Sequence, residues 1–105
     1  GAAVLTDDGL VFLGNNIENA AYPSSLCAER VAIFKAVSEG HIHIRAIAVV
    51  TQNGGSPCGG CRQVMREFGG TTLDVLIGND KGEILVETSL DELLPRSFGP
   101  EDLPE

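Results

Sequence analysis

The stretch Pro57-Cys58-Gly59-Gly60-Cys61, taken together with Cys27-Ala28-Glu29, decides the expected fold and chemistry of this chain. These two stretches hold all three cysteines of the sequence. A Cys-x-x-Cys pair at the start of a helix places both thiols on one face, because positions i and i+3 are neighbours there. A third thiol from elsewhere gives a zinc site with one open position, which is typical of catalytic rather than structural zinc.

Glu29 lies two residues after Cys27, close to this expected metal site. A carboxylate within hydrogen-bonding reach of a metal-bound water can act as a general acid and base. We therefore predict that Cys27, Cys58 and Cys61 hold the metal and that Glu29 is the catalytic proton carrier. The alternative for Glu29 is a carboxylate that only favours the positive end of a helix dipole.

The charge of such a centre requires compensation, because the −3 of three thiolates exceeds the +2 of zinc. Two helix amino termini, each with roughly half a positive charge, offset part of the excess. Arg30 follows Glu29 directly, and we predict that its guanidinium hydrogen-bonds a thiolate. Arg62 follows Cys61 and could also hydrogen-bond a thiolate, and a solvated helix face is the alternative for both arginines.

Two polar residues, Asn16 and Glu18, follow the second predicted strand. Alternation places side chains i and i+2 on the same side, where an amide and a carboxylate suit the hydroxyls of a ribose. Ordinary loop polarity is the other interpretation. His41 and His43 are predicted to be surface residues, because a 14-residue separation from Cys27 puts His41 about 21 Å along the helix.

The composition indicates one domain, residues 1–105, and excludes several classes of partner. With a net charge of −8 and no basic patch, nucleic acid is an unfavourable partner. No apolar run approaches the ~18 residues of a membrane span, so no membrane partner is expected. Three cysteines in metal-ligand spacing favour a reducing compartment, and hence the cytoplasm. Because Gly1 opens directly inside a predicted strand, we expect native residues to precede it.

The hydrophobic pattern predicts five strands with helices between them, an α/β chain in three α/β/α layers. The strands are expected at Ala2 to Thr6, Leu10 to Leu13, Ile44 to Thr51, Leu73 to Ile77 and Ile84 to Glu87. The helices are expected at Cys27 to Glu39, Cys58 to Phe68 and Leu90 to Leu94. The third strand lacks alternation, which predicts burial on both of its faces. A turn at residues 79–82 predicts that the last two strands form an antiparallel hairpin.

With these residues in hand, the chain resembles the small cytidine deaminases, the three-cysteine zinc type that forms homotetramers. Zinc deaminases carry the signature His-or-Cys-x-Glu followed by Pro-Cys-x-x-Cys, which this chain matches in its three-cysteine form. The resemblance covers almost the whole chain, and the stretches that carry it are residues 1–5, 16–22, 27–30, 35–40, 57–64 and 94–100. The resemblance implies an N-terminal helix that would precede Gly1, in line with the expectation that native residues come before it.

The resemblance implies a five-stranded mixed sheet with helices on both faces and one Zn²⁺ per chain, held by the three cysteines. It further implies that Asn16 and Glu18 bind the ribose 3′-hydroxyl and that the backbone around Ala28 and Ser56 frames the pyrimidine. Phe98 is expected to reach the site of a neighbouring subunit and stack on the base.

The function expected from the residues and the resemblance is hydrolysis of cytidine and 2′-deoxycytidine to uridine products and ammonia, in pyrimidine salvage. Deamination of a cytosine-containing antibiotic such as blasticidin S is an alternative with the same site motifs. A nucleic-acid editing deaminase is disfavoured by the charge and the final hairpin. From a different class, a structural zinc module would need a fourth protein ligand, and a redox Cys-x-x-Cys domain would not need Cys27-Ala28-Glu29.

Overall fold

A computed structural model describes residues 1–104 as one mixed β-sheet with helices packed against it. The strands are β1 (Ala2–Thr6), β2 (Val11–Gly14), β3 (Ile44–Thr51), β4 (Asp74–Asn79) and β5 (Ile84–Ser89). The α-helices are α1 (Ala28–Ser38), α2 (Gly59–Gly69) and α3 (Leu90–Leu93). Short 3₁₀ turns occupy Tyr22–Ser24 and Pro100–Asp102. The α/β class and the five-stranded mixed sheet expected from the sequence are confirmed.

The sheet has the spatial order β2-β1-β3-β4-β5. Strand β1 pairs antiparallel with both β2 and β3, whereas β3 and β4 run parallel. Strands β4 and β5 form the expected antiparallel hairpin. A parallel pair needs a crossover connection, and here α2 supplies it. The carboxyl end of β3 therefore leads into the loop that carries Cys58 to the start of α2.

The hydrophobic core lies between one face of the sheet and the two long helices. The buried strand residues Val4, Ile47, Val49, Val75 and Ile77 face the same side, as their cross-strand pairings show. They form one cluster with buried side chains of both helices: Ala32, Ile33 and Ala36 of α1, and Cys61 and Met65 of α2. The helices that carry the candidate metal ligands are thus fixed to the sheet by the same core.

Strand β3 differs from the expectation that both of its faces are buried. Its side chains alternate, with Ile47 and Val49 buried while Ala46 and Ala48 are only partly covered and Val50 is exposed. Alternation between buried and exposed positions is normally visible as polar residues at every second position, but here alanine occupies two of those positions. Within residues 1–104, the prediction of burial on both faces of β3 was therefore wrong.

The remaining differences from the predicted elements are small. The second strand begins and ends one residue later than expected, and the first two helices exclude Cys27 and Cys58 because each caps its helix. Shifts of one or two residues at element ends are ordinary. Among the described residues, no helix combines the length and apolar character that a membrane crossing requires.

Gly14 of β2 lies directly against the backbone of α1 and gives a test of this packing. A Cβ at Gly14 would lie 2.5 Å from the backbone nitrogen of Ala32 and against the carbonyl oxygen of Ala28. Because backbone cannot move aside, we expect Gly14→Ala to lower the free energy of unfolding by about 1–3 kcal/mol in urea denaturation.

Gly60→Ala is the matched control, since a Cβ at Gly60 meets nothing within 4 Å. This change lies in the first turn of α2, where alanine is favoured over glycine by up to about 1 kcal/mol. Equal effects of the two substitutions would contradict the packing described for Gly14.

Candidate active site

The three cysteines converge where the two long helices begin. Cys27 is the N-cap residue of α1 and Cys58 is the N-cap residue of α2, both in extended backbone conformation. Cys61 lies in the first turn of α2 and is fully buried. The three Sγ atoms all lie within 4.8 Å of one another. Both helix amino termini therefore direct their positive ends at the same cluster of sulfur.

The donor set fits a tetrahedral zinc ion. With Zn–S bonds of about 2.3 Å, two ligand sulfur atoms lie about 3.8 Å apart. Cys58 Sγ and Cys61 Sγ are 3.3 Å apart, and the whole set stays within 4.8 Å. In residues 1–104 no other group of three or more His, Cys, Asp or Glu side chains could hold a metal. Three thiolates without a fourth protein ligand leave one coordination position for water or substrate.

The two histidines do not join this cluster, as expected. His41 is partly buried and pairs with Asp8, its Nδ1 lying 2.9 Å from Asp8 Oδ2, and its ring lies 5.7 Å from that of Phe12. His43 is exposed. Both residues lie in the loop that connects the end of α1 to the start of β3. Cys27 precedes the other end of α1 and Cys58 follows the other end of β3, so the histidines are remote from the cysteines.

The thiols of α2 differ in their affinity for protons. The pKa of the Cys58 thiol lies below its ordinary value, because the backbone N–H of Cys61 and the N–H of Gly60 stabilise the thiolate. Burial raises the pKa of Cys61, and hydrogen bonding to Cys58 and the charge of Glu29 raise it further. A cation at this point would offset the effects of burial and of nearby negative charge, which hold the proton on Cys61.

Arg30 lies against the cluster rather than on a solvated face. Its Nη2 donates to Cys27 Sγ at 3.6 Å, and this bond to Cys27 raises the pKa of the guanidinium. Its Nε is buried and has no hydrogen-bond partner among the described atoms. The contact with Cys27 agrees with the sequence prediction for Arg30. The guanidinium of Arg62, in contrast, donates to the carbonyls of Pro57 and Leu93, and no described hydrogen bond joins it to a cysteine.

Glu29 is one of three buried polar or charged residues in the described chain, with only 7% of its surface exposed. It lines an open cleft of about 590 Å³ together with Asn16 and Ala28. Glu29 is the second residue of α1, and its negative charge also acts on the Cys61 thiol. The arrangement can hold a proton next to both a metal and a small ligand.

Asn16 and Glu18 form the pair that alternation predicted, with Asn16 Nδ2 donating to Glu18 Oε1 at 3.1 Å. An isolated bridge between Ile17 and Leu26 holds this segment beside the start of α1. Asn16 Oδ1 accepts the backbone N–H of Ala28 at 3.1 Å. Because Cys27 provides no side-chain cap, Asn16 satisfies one of the unpaired donors of the helix amino terminus.

Two other candidate residues lie outside this group. Ser56 is exposed in the loop before Cys58 and does not line the cleft. Phe98 is 58% exposed in the carboxyl-terminal segment and does not line the cleft of its own chain either. The cleft also contains residues that the sequence analysis missed: Val50, Thr51, Gln52 and Asp80. The available signal was that Val50 and Thr51 end β3 while Gln52 and Asp80 directly follow β3 and β4, because parallel strands end at the same edge of a sheet.

Three comparisons with known proteins agree with this site. Residues 1–77 match the family model described as cytidine and deoxycytidylate deaminase zinc-binding region. The chain is 50% identical to the cytidine deaminase of Sporosarcina psychrophila, covering 98% of this chain and 76% of the relative. It is also 50% identical to that of Halalkalibacterium halodurans, covering 98% and 79%. The crystal structure of cytidine deaminase from Burkholderia pseudomallei superposes with a TM-score of 0.85 at 48% identity, covering 92% of this chain and 79% of that one.

The sulfur geometry predicts one zinc per chain in freshly purified, reduced protein, measured by elemental analysis. Cys58→Ser should lose most of this zinc, because serine offers a poor ligand in place of a thiolate whose pKa is already lowered. Glu29→Gln is the matched control and should retain the metal, since Glu29 is not among the ligands. Reduced protein without zinc, or full occupancy in Cys58→Ser, would contradict this set of ligands.

Proposed function

Because this chain belongs to the cytidine and deoxycytidylate deaminase family, we propose that it hydrolyses cytidine and 2′-deoxycytidine to the uridine products and ammonia. The observation that carries the proposal is the buried carboxylate of Glu29 beside three converging thiols at the wall of an open cleft. The free cysteines of this cluster support a reducing compartment such as the cytoplasm, and the proposed reaction would there serve pyrimidine salvage.

Cys27, Cys58 and Cys61 would hold a zinc ion, whose Lewis acidity would lower the pKa of a water and so supply the nucleophile for C4 of the pyrimidine. Glu29 takes the proton that this water loses and gives it to N3 of the base. The same carboxylate then takes the proton of the new C4 hydroxyl and gives it to the C4 amino group, so that the C4–N bond breaks, ammonia leaves and the C4 carbonyl forms. Burial of Glu29 keeps bulk water from competing for these protons.

The charge of the cleft supports a nucleoside rather than a nucleotide as the substrate. Its lining includes the carboxylates of Glu29 and Asp80 and no Lys or Arg side chain. A phosphate there would meet the negative charge of two carboxylates with no Lys or Arg side chain to pair with, which is unfavourable at short range. The uncharged ribose of a nucleoside carries no such cost.

The remaining contacts follow from the placement of each residue. We assign the ribose 3′-hydroxyl to Asn16 and Glu18, which are already hydrogen-bonded to each other beside the cleft. The backbone near Ala28 and Ser56 frames the base. Phe98 does not line the cleft of its own chain, so we assign it to the site of a second copy within a homotetramer.

Arg30 has a supporting role in this scheme. The bond from its guanidinium to Cys27 withdraws negative charge from a thiolate. This increases the positive character that zinc retains among three anionic ligands. The negative charge of three thiolates that exceeds the charge of zinc is therefore offset by two helix amino termini and one guanidinium.

The proposed reaction is tested by the loss of cytidine absorbance on addition of zinc-loaded protein. Glu29→Gln should retain zinc and lose activity by about 10²–10⁴-fold or more, because the amide cannot carry protons and one group serves several transfers. A variant within tenfold of the parent would show that another group moves the protons. Turnover of blasticidin S but not of cytidine would replace the substrate and keep the chemistry.

The ribose assignment is tested with Glu18→Ala and 3′-deoxycytidine. The lost hydrogen bond to a buried hydroxyl costs about 1–3 kcal/mol, or roughly 5- to 150-fold in kcat/KM. The parent should prefer cytidine over 3′-deoxycytidine by this factor, and Glu18→Ala should lose the preference. The same ratio in parent and variant would contradict the assignment, while Glu83→Ala provides a control carboxylate on an exposed turn.

A further inference from the structure

Arg66 of α2 is a buried charged residue that the proposed chemistry does not use. Only 6% of its surface is exposed. A buried guanidinium is strongly unfavourable unless it is paired and hydrogen-bonded. The partners of Arg66 therefore indicate what this charge holds in place.

All hydrogen bonds of the guanidinium go to the segment after α3. Its Nε donates to Ser97 Oγ at 2.7 Å, and its Nη1 and Nη2 donate to the two carboxylate oxygens of Glu101, forming an ion pair. This two-pronged geometry is specific to arginine. Arg66 makes no described bond to the sheet or to α1, so the group that it fastens is the carboxyl-terminal segment.

Gly99 shows how closely this segment is pressed against Arg66. A Cβ at Gly99 would lie 2.5–2.6 Å from the two terminal nitrogens of the guanidinium. The backbone of Gly99 is extended, with φ −138°, so a side chain here is not excluded by conformation. A side chain at this position would therefore require the guanidinium to move out of the space that it occupies.

Phe98 lies between the two anchors of this contact. Ser97 precedes it, Glu101 follows it, and its carbonyl oxygen accepts from Gln63 Nε2 at 2.7 Å. Its backbone is thus fixed to α2, the helix that carries Cys58 and Cys61, while its side chain is 58% exposed. An aromatic side chain on a fixed backbone has already lost part of the freedom that binding would otherwise remove.

We propose that Arg66 is a positioning residue which, through Ser97 and Glu101, holds Phe98 ready for the substrate pocket of a second copy of this chain. This rests on the role assigned to Phe98 in the proposed function. The contact links the base-binding aromatic of one copy to the helix that carries the metal ligands of the same copy.

The chain has no tryptophan, so Phe98→Trp creates a single fluorescent reporter of the segment. In that background, Arg66→Gln should lower the time-resolved anisotropy of the tryptophan on the nanosecond scale, because the segment gains local motion. Gly99→Ala should have the same effect by displacing the guanidinium. Arg45→Gln is the matched control. Arg45 lines a surface cavity together with Arg66 and Glu101, but no described hydrogen bond joins it to Ser97 or Glu101.

With Phe98 in place, Arg66→Gln and Gly99→Ala should raise KM for cytidine about 3- to 10-fold and leave kcat within about twofold. Arg66→Lys should give a KM between those of the parent and Arg66→Gln, because lysine keeps the charge without the two-pronged geometry. Zinc content and sedimentation should match the parent. Glu101→Gln removes the ion pair from the segment side and keeps the test available if Arg66 variants fail to fold.

Unchanged anisotropy in both Arg66→Gln and Gly99→Ala would overturn the anchoring. Lower anisotropy with unchanged KM would also overturn the positioning role, because Phe98 would then move without consequence for the substrate. A parent that fails to turn over cytidine would overturn the proposed function and the positioning role with it. An active parent with unaltered KM in the variants overturns only the positioning role.

Discussion

The convergence of three thiols on one point is the constraint on which the rest of the structure depends. Since Cys27 and Cys58 each cap a helix, the amino ends of α1 and α2 must meet. Helix α1 carries the chain about 16 Å away over 11 residues. Strand β3, with 8 residues, spans about 26 Å and brings the chain back to the loop before Cys58. The helix–strand–helix succession therefore has the dimensions that the site requires.

The same convergence concentrates negative charge in a poorly solvated place. Burial and the nearby carboxylate of Glu29 both raise the pKa of Cys61, so its thiolate form depends on positive charge close by. Helix amino termini and Arg30 provide part of this charge, and the metal provides the remainder. Because zinc binds only the deprotonated ligands, site assembly and metal binding are coupled in this chain.

Local patterns in the sequence predicted most of the elements and the residues that share a site, but not the contacts between distant segments. Metal-ligand spacing identified the three cysteines, and period-two alternation placed Asn16 beside Glu18, because both depend on neighbours in the chain. The contact between Arg66 and Glu101 joins residues 35 positions apart, and no periodicity records it. The exposed side of β3 was also missed, since alanine is compatible with either environment.

The hydrogen-bonding capacity of Asn16 explains why a hydroxyl suits the edge of this cleft. Its Oδ1 accepts from Ala28, and one hydrogen of Nδ2 goes to Glu18, so one amide hydrogen remains to donate. The carboxylate of Glu18 retains an oxygen that can only accept. A hydroxyl can accept a hydrogen bond from Asn16 and donate one to Glu18 at the same time. An ether oxygen at this position could only accept, and a hydrogen atom in place of the hydroxyl could do neither. Asn16 therefore both caps the amino terminus of α1 and orients the proposed hydrogen bonds to the sugar. Recognition of the ribose thus depends on the same residue that positions the helix of Glu29.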